Sequence, residues 1–133
     1  MELYAYCYGD AYRIYFLEVH EKSDVKAFLE DLVRTSKRDA TSLIRRLDVT
    51  CRSGLVWNDN HTRALRHLAK PICEFKGGQA RILWFCDKLD QQIIVCTNGF
   101  KKKSDDTPQR EIARAHSRME LYYKNRTTLL AKQ

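Results

Sequence analysis

Two groups of cations in this sequence could act on phosphate chemistry together. Arg81 sits near the start of an otherwise apolar run, Ala-Arg-Ile-Leu-Trp-Phe-Cys over residues 80–86. One β-rich run later comes Lys101-Lys102-Lys103. A guanidinium offers a fixed fork of donors to phosphate oxygens and never loses its charge. The same residue on an oily strand could instead be the structural partner of a carboxylate such as Glu74, the lesser of the two readings. Likewise, the lysine run suits either a polyanion or a solvated edge.

The distribution of charge favours the polyanion. The net charge is +7. From Gly99 onward there are nine Lys/Arg against four Asp/Glu, whereas the first 98 residues hold fifteen against thirteen. The basic excess therefore gathers directly after the second β-rich run, the footprint of a polyanion contact.

The elements that position these cations follow from periodicity. Residues 80–86 are almost continuously apolar, as in a strand buried on both faces. Residues 92–97 form the next strand, and residues 71–76 a short one before it. Gly77-Gly78 reads as a two-residue turn, which pairs Phe75 and Lys76 with Gln79 and Ala80. Thr107-Pro108 supplies an N-cap and a first-turn proline for a helix with Ile112, Ala115, His116, Met119 and Tyr122 or Tyr123 on one face. On that helix the side chains of Tyr122, Tyr123 and His116 are expected to pack in the core.

Upstream, residues 12–19 form the first strand. Ser23 caps a helix striped by Val25, Phe28, Leu29, Leu32 and Val33. Asp39 caps a second helix, with Leu43, Ile44 and Leu47 inward and Gly54 past its end. Residues 55–67 read as an irregular connection that carries His61 and His67. The result is one α+β domain over residues 1–133, ordered β-α-α-β-β-β-α. A mostly antiparallel four-stranded sheet carries an N-terminal helical hairpin and a C-terminal helix.

In combination, four stretches resemble a known family. They are Pro-Ile-Cys-Glu-Phe-Lys (71–76), Arg-Ile-Leu-Trp-Phe (81–85), Asn-Gly-Phe-Lys-Lys-Lys-Ser (98–104) and Thr-Pro-Gln-Arg-Glu-Ile-Ala-Arg-Ala (107–115). Together with the order of elements, they resemble the RelE/ParE toxin superfamily in its HigB-like, phage-derived branch. The resemblance implies a RelE-like fold and the toxin of a type II toxin–antitoxin system, neutralised by a cognate helix-turn-helix, HigA-like antitoxin. It further implies a ribosome-dependent mRNA endoribonuclease that inhibits translation without a metal or other cofactor, with mRNA and the ribosome as partners.

Metal-free RNA cleavage requires the 2′-OH to attack the adjacent phosphate, so the protein must stabilise charge on the phosphoryl oxygens and move two protons. Arg81 matches the family's strand arginine, and Lys102 and Lys103 match its basic pair, which makes these three the catalytic candidates. Lys76, Lys101, Arg110, Arg114 and Arg118 are the candidates for holding RNA around them. One departure stands out. Better-known ribosome-dependent relatives carry lysines on the strand that here reads Ile72-Cys73-Glu74, so a general base from that strand is missing.

Two other readings stay open: a non-nuclease toxin that inhibits DNA gyrase or another protein, and a non-toxic prophage RNA-binding protein. Five scattered cysteines without a C-x-x-C pair read as reduced buried thiols. The absence of a signal peptide or a long apolar run points to the cytoplasm, away from the membrane.

Overall fold

A computed structural model describes residues 1–57, 62–64, 71–103 and 107–133. His61 and His67 lie outside these described residues. The strands are β1 (Glu2–Tyr8), β2 (Arg13–Glu18), β3 (Thr62–Ala64), β4 (Cys73–Gly77), β5 (Ala80–Cys86) and β6 (Ile93–Lys101). The helices are α1 (Val25–Thr35), α2 (Lys37–Ser53) and α3 (Gln109–Ala131). The strands form one sheet in the order β1-β2-β6-β5-β4-β3.

The architecture is α+β, but the four-stranded, mostly antiparallel sheet needs correction. Five longer strands and the three-residue β3 make a mixed sheet, because β2 runs parallel to β6, with Ile14 opposite Ile94 and Phe16 opposite Cys96. The element order gains β1 at its start and β3 within the connection. β1 escapes the sequence because its seven residues, Glu-Leu-Tyr-Ala-Tyr-Cys-Tyr, alternate too weakly to declare a buried face, and only Leu3 is fully buried. It pairs antiparallel with β2 and forms the sheet's edge.

Helices cover both faces of the sheet. α1 and α2 pack on one face, where Leu29, Leu43 and Leu47 meet Phe75, Ile82, Trp84 and Ile94. α3 covers the other face, where Ile112, Ala115, Tyr122 and Leu129 meet Leu83, Phe85, Val95 and Phe100. Ile82 and Trp84 therefore serve one core, and Leu83 and Phe85 the other. This two-sided burial is the physical reason that β5 reads as a continuous apolar run.

The capping side chains differ from the expected ones. α1 starts after Asp24, whose carboxylate accepts the backbone N–H groups of Val19, His20 and Glu21 and so organises the turn out of β2. The Ser23 hydroxyl instead accepts from Arg118. α2 starts after Ser36, which puts Asp39 in its first turn, where it accepts the Gln79 amide. Gly54 ends α2 with φ 103°, as its position past the apolar stripe requires.

The β4–β5 hairpin is present, but its turn is Gly78-Gln79, so Gly77 pairs with Ala80 and Lys76 with Arg81. Both glycines are needed. Gly78 has φ 59°, and a Cβ there would lie 2.0 Å from Asp39 Oδ1. At Gly77 a Cβ would lie 2.8 Å from the Leu43 backbone nitrogen. The hairpin tip is thus pressed directly onto α2.

Cys7 of β1 and Cys51 of α2 are joined by a disulfide, with Cα atoms 6.7 Å apart, which corrects the expectation of five reduced thiols. The pairing depends on β1, which the sequence did not disclose. Cys73, Cys86 and Cys96 are free, and burial pushes the Cys73 thiol up to about 12. No helix among the described residues is long and apolar enough to cross a membrane.

Candidate functional site

The sheet register gathers cations at one end of the α3 face. Directly opposed residues of an antiparallel pair share a face. Arg81 lies opposite Lys76 on β4 and opposite Phe100 on β6, and Glu74 lies opposite Leu83. Lys102, two residues past Phe100, is buried there, and its backbone N–H donates to Gln79 O at 2.7 Å. Arg81 and Lys102, at 7% and 6% exposure, are interior cations, while Lys76 is half-buried.

Glu74 ties this group to α3. It is fully buried, accepts from Thr107 Oγ1 at 2.9 Å and lies 3.8 Å from Arg81 Nε. The hydroxyl expected to cap α3 is thus engaged by β4, and α3 begins at Gln109 after Pro108 without a side-chain cap. Arg81 Nη1 donates to Gly78 O at 2.6 Å and to Ala80 O at 2.9 Å. Its guanidinium is therefore anchored on the hairpin tip. The arrangement can present a fixed positive potential to an anion at the end of the sheet, with Glu74 as the built-in counter-charge.

The remaining candidates divide by exposure. Lys101 and Lys103 are exposed, and Lys101, opposite Ala80, lies on the other face of the sheet. Arg110 is exposed at the start of α3, 3.7 Å from Glu111. Arg114 is partly exposed and paired with Glu111 at 2.7 Å.

Arg118 is a correction. Only 3% of it is exposed, and it donates to Thr97 O at 2.6 Å, to Glu21 at 3.1 Å and to Ser23 at 2.7 Å. It also lies 3.3 Å from Asp24 Oδ1. Its guanidinium is used to lock α3 to the start of α1 and is not displayed for RNA.

Sequence reasoning missed one further polar group. Asp87, at the end of β5, is fully buried and accepts from Tyr122 Oη, from Arg126 Nε at 2.6 Å and from the Leu89 amide at 2.7 Å. Burial pushes the Asp87 carboxyl up, but the hydrogen bonds from Tyr122, Arg126 and Leu89 outweigh it and hold it below the usual range. The only available signal was a carboxylate ending an apolar strand. Tyr122 packs on Phe85, as expected of a helix-packing tyrosine, and Tyr123 accepts from the Lys88 amide. His116 is half-buried on α3.

A family model described as phage-derived protein Gp49-like matches residues 30–120, more than half of the chain. The chain belongs to the Gp49-like family. This is a phage-derived family of the RelE-like toxin kind. The matched span holds α2, the β4–β5–β6 meander and the first half of α3, and with them Glu74, Arg81, Lys102 and Thr107. β1 and β2 fall outside it. A search of curated proteins finds no match.

Proposed function

We propose that this Gp49-like protein is the toxin of a type II toxin–antitoxin pair and that it cuts ribosome-bound mRNA. In this reading Arg81 and Lys102 stabilise charge on the scissile phosphate, and the exposed Lys103 assists proton transfer. A helix-turn-helix antitoxin neutralises it. The observation that carries the reading is the placement of Arg81, Lys102 and Lys76 at one end of one sheet face, within the span matched by the family. In this reading these three cations hold the RNA phosphate.

The burial of Arg81 and its bonds to Gly78 O and Ala80 O favour a second reading, a toxin that docks on gyrase or another protein and cleaves nothing. Controlled expression in bacteria separates the two. Under the nuclease reading growth stops, mRNA acquires new 5′ ends at defined codons, and co-expression of the neighbouring antitoxin restores growth. Growth arrest with intact mRNA supports the docking toxin, and unimpaired growth at confirmed soluble expression rejects both.

A further inference from the structure

A second basic surface lies on α2, away from the α3 face. Lys37, Arg38, Arg45 and Arg46, with Thr41 and Ser42, line one wall of a cleft of about 600 Å³. The tip of the β4–β5 hairpin, from Lys76 to Gly78, forms the other wall. The spacing of the α2 residues is i, i+1, i+4, i+5, i+8 and i+9, which places two adjacent rows on one helix face. Arg38 and Arg45 stand two turns apart, about 11 Å along the axis. Among the described residues, none of Lys37, Arg38, Arg45 or Arg46 has an ion-pair partner. Moreover, Arg46 Nε is buried without a hydrogen-bond acceptor.

The lining also has a chemical signature. Among the described residues it consists of cations, hydroxyls and glycines, with no carboxylate and no aromatic ring. Asp39, on the same helix, turns its carboxylate to the Gln79 amide. Without a ring there is no platform for stacking bases, so the surface matches phosphates and not base edges. Guanidinium forks, hydroxyls and close backbone approach at glycine are the groups that hold phosphate oxygens.

The cleft and the Arg81 cluster also share a wall. Gly78 lines the cleft, and its carbonyl oxygen receives Arg81 Nη1. We propose that the α2 cleft is an RNA-backbone exosite, which grips the phosphates of the strand flanking the one held at Arg81 and Lys102. The inference rests on the RNA reading above, and binding and cleavage are measured apart so that the two can fail separately.

The test is fluorescence anisotropy of the full chain with a labelled single-stranded RNA oligonucleotide across a salt series. Three proteins are compared: the parent, R38Q/R45Q and K124Q/K132Q. Arg38, Arg45, Lys124 and Lys132 are all exposed, so both double variants should fold, which thermal unfolding checks. Loss of two phosphate contacts should flatten the slope of log affinity against log salt by about 1.4. R38Q/R45Q should show this change and K124Q/K132Q should not, although each removes two charges.

An unchanged slope in folded R38Q/R45Q overturns the exosite, as does an equal loss in both double variants. So does a parent that binds a polyglutamate peptide but no RNA, because the cleft then serves an acidic protein segment. A slope change confined to R38Q/R45Q, with mRNA intact in cells expressing the parent, keeps the exosite and rejects the nuclease.

Discussion

Lys76 and Arg81 face each other across the β4–β5 ladder, one residue pair in from the hairpin tip. Like charges directly opposed on one sheet face are destabilising. The fold answers with Glu74 below them and with the carbonyls of Gly78 and Ala80 around Arg81. A strand that is otherwise entirely apolar keeps this cost where a shorter apolar side chain would remove it. A local conflict of this kind is the observation behind the proposal that this end of the sheet is the site.

The first prediction separates chemistry from folding at Arg81. Because Arg81 and Glu74 are buried, Arg81→Ala removes a buried guanidinium from Glu74 and from the carbonyls of Gly78 and Ala80, and it should destabilise the protein by about 3–5 kcal/mol. A rim-exposed pair would contribute only about 0–1 kcal/mol. Arg81→Lys keeps the charge but loses the fork, so it should unfold near the parent's temperature. Under the nuclease reading, cleavage should slow by about 100- to 1,000-fold. Thermal unfolding and mRNA 5′-end mapping read the two effects. A folded Arg81→Lys protein with full cleavage removes Arg81 from the chemistry.

The hairpin tip gives the second prediction. Gly78→Ala places a methyl group against Asp39 at a positive φ, where an L-residue costs about 1–2 kcal/mol before any clash. The variant should melt well below the parent. Asp39→Ala in the same chain should recover part of the loss, because the steric component disappears and the backbone strain stays. Strict additivity of the two changes would show that the tip does not press on α2.

How much of this was legible follows from where the information lies. The stripe of α2, that of α1 apart from the exposed Val33, the hairpin glycines and the two-sided burial of β5 are local patterns, so the sequence displays them. The exact turn was not legible, because Gly77-Gly78 and Gly78-Gln79 are both acceptable two-residue turns, and only the close packing against Asp39 and Leu43 chooses between them. β1 and its disulfide partner were hidden because an edge strand has little buried area to impose alternation. Arg118 and Thr107 misled for a common reason: Arg118 bonds to Glu21 and Ser23 and Thr107 to Glu74, residues more than 30 positions away. Within the candidate site, the burial of Arg81 and Lys102 was not readable, because it depends on the strands and the Glu74 partner that surround them.

The third prediction concerns Arg118. Its guanidinium joins Thr97, Glu21, Ser23 and Asp24, so Arg118→Ala should cost about 3–5 kcal/mol by leaving a buried carboxylate without its partner. RNA affinity per folded molecule should stay at the parent's value. Urea unfolding and anisotropy on the folded fraction test both halves. A stable variant with weakened binding would return Arg118 to the RNA surface.

The last prediction concerns acid. Asp87 has a folded-state pKa below its unfolded value of about 3.9, so the folded state binds its proton less readily than the unfolded state. Its contribution is therefore present in full above the ordinary carboxylate range. It is lost as pH falls through the depressed folded value. The parent's melting temperature should fall steeply between about pH 5 and pH 2. Asp87→Asn should be less stable at neutral pH, since it cannot hold the Arg126 charge, and should show a shallower fall in acid. Tyr122→Phe removes one of the hydrogen bonds that depress the carboxyl, so its acid transition should move to higher pH. Melting curves in a pH series decide the matter. If Asp87→Asn and the parent lose stability in parallel throughout the acid range, the Asp87–Tyr122–Arg126 group does not govern acid unfolding.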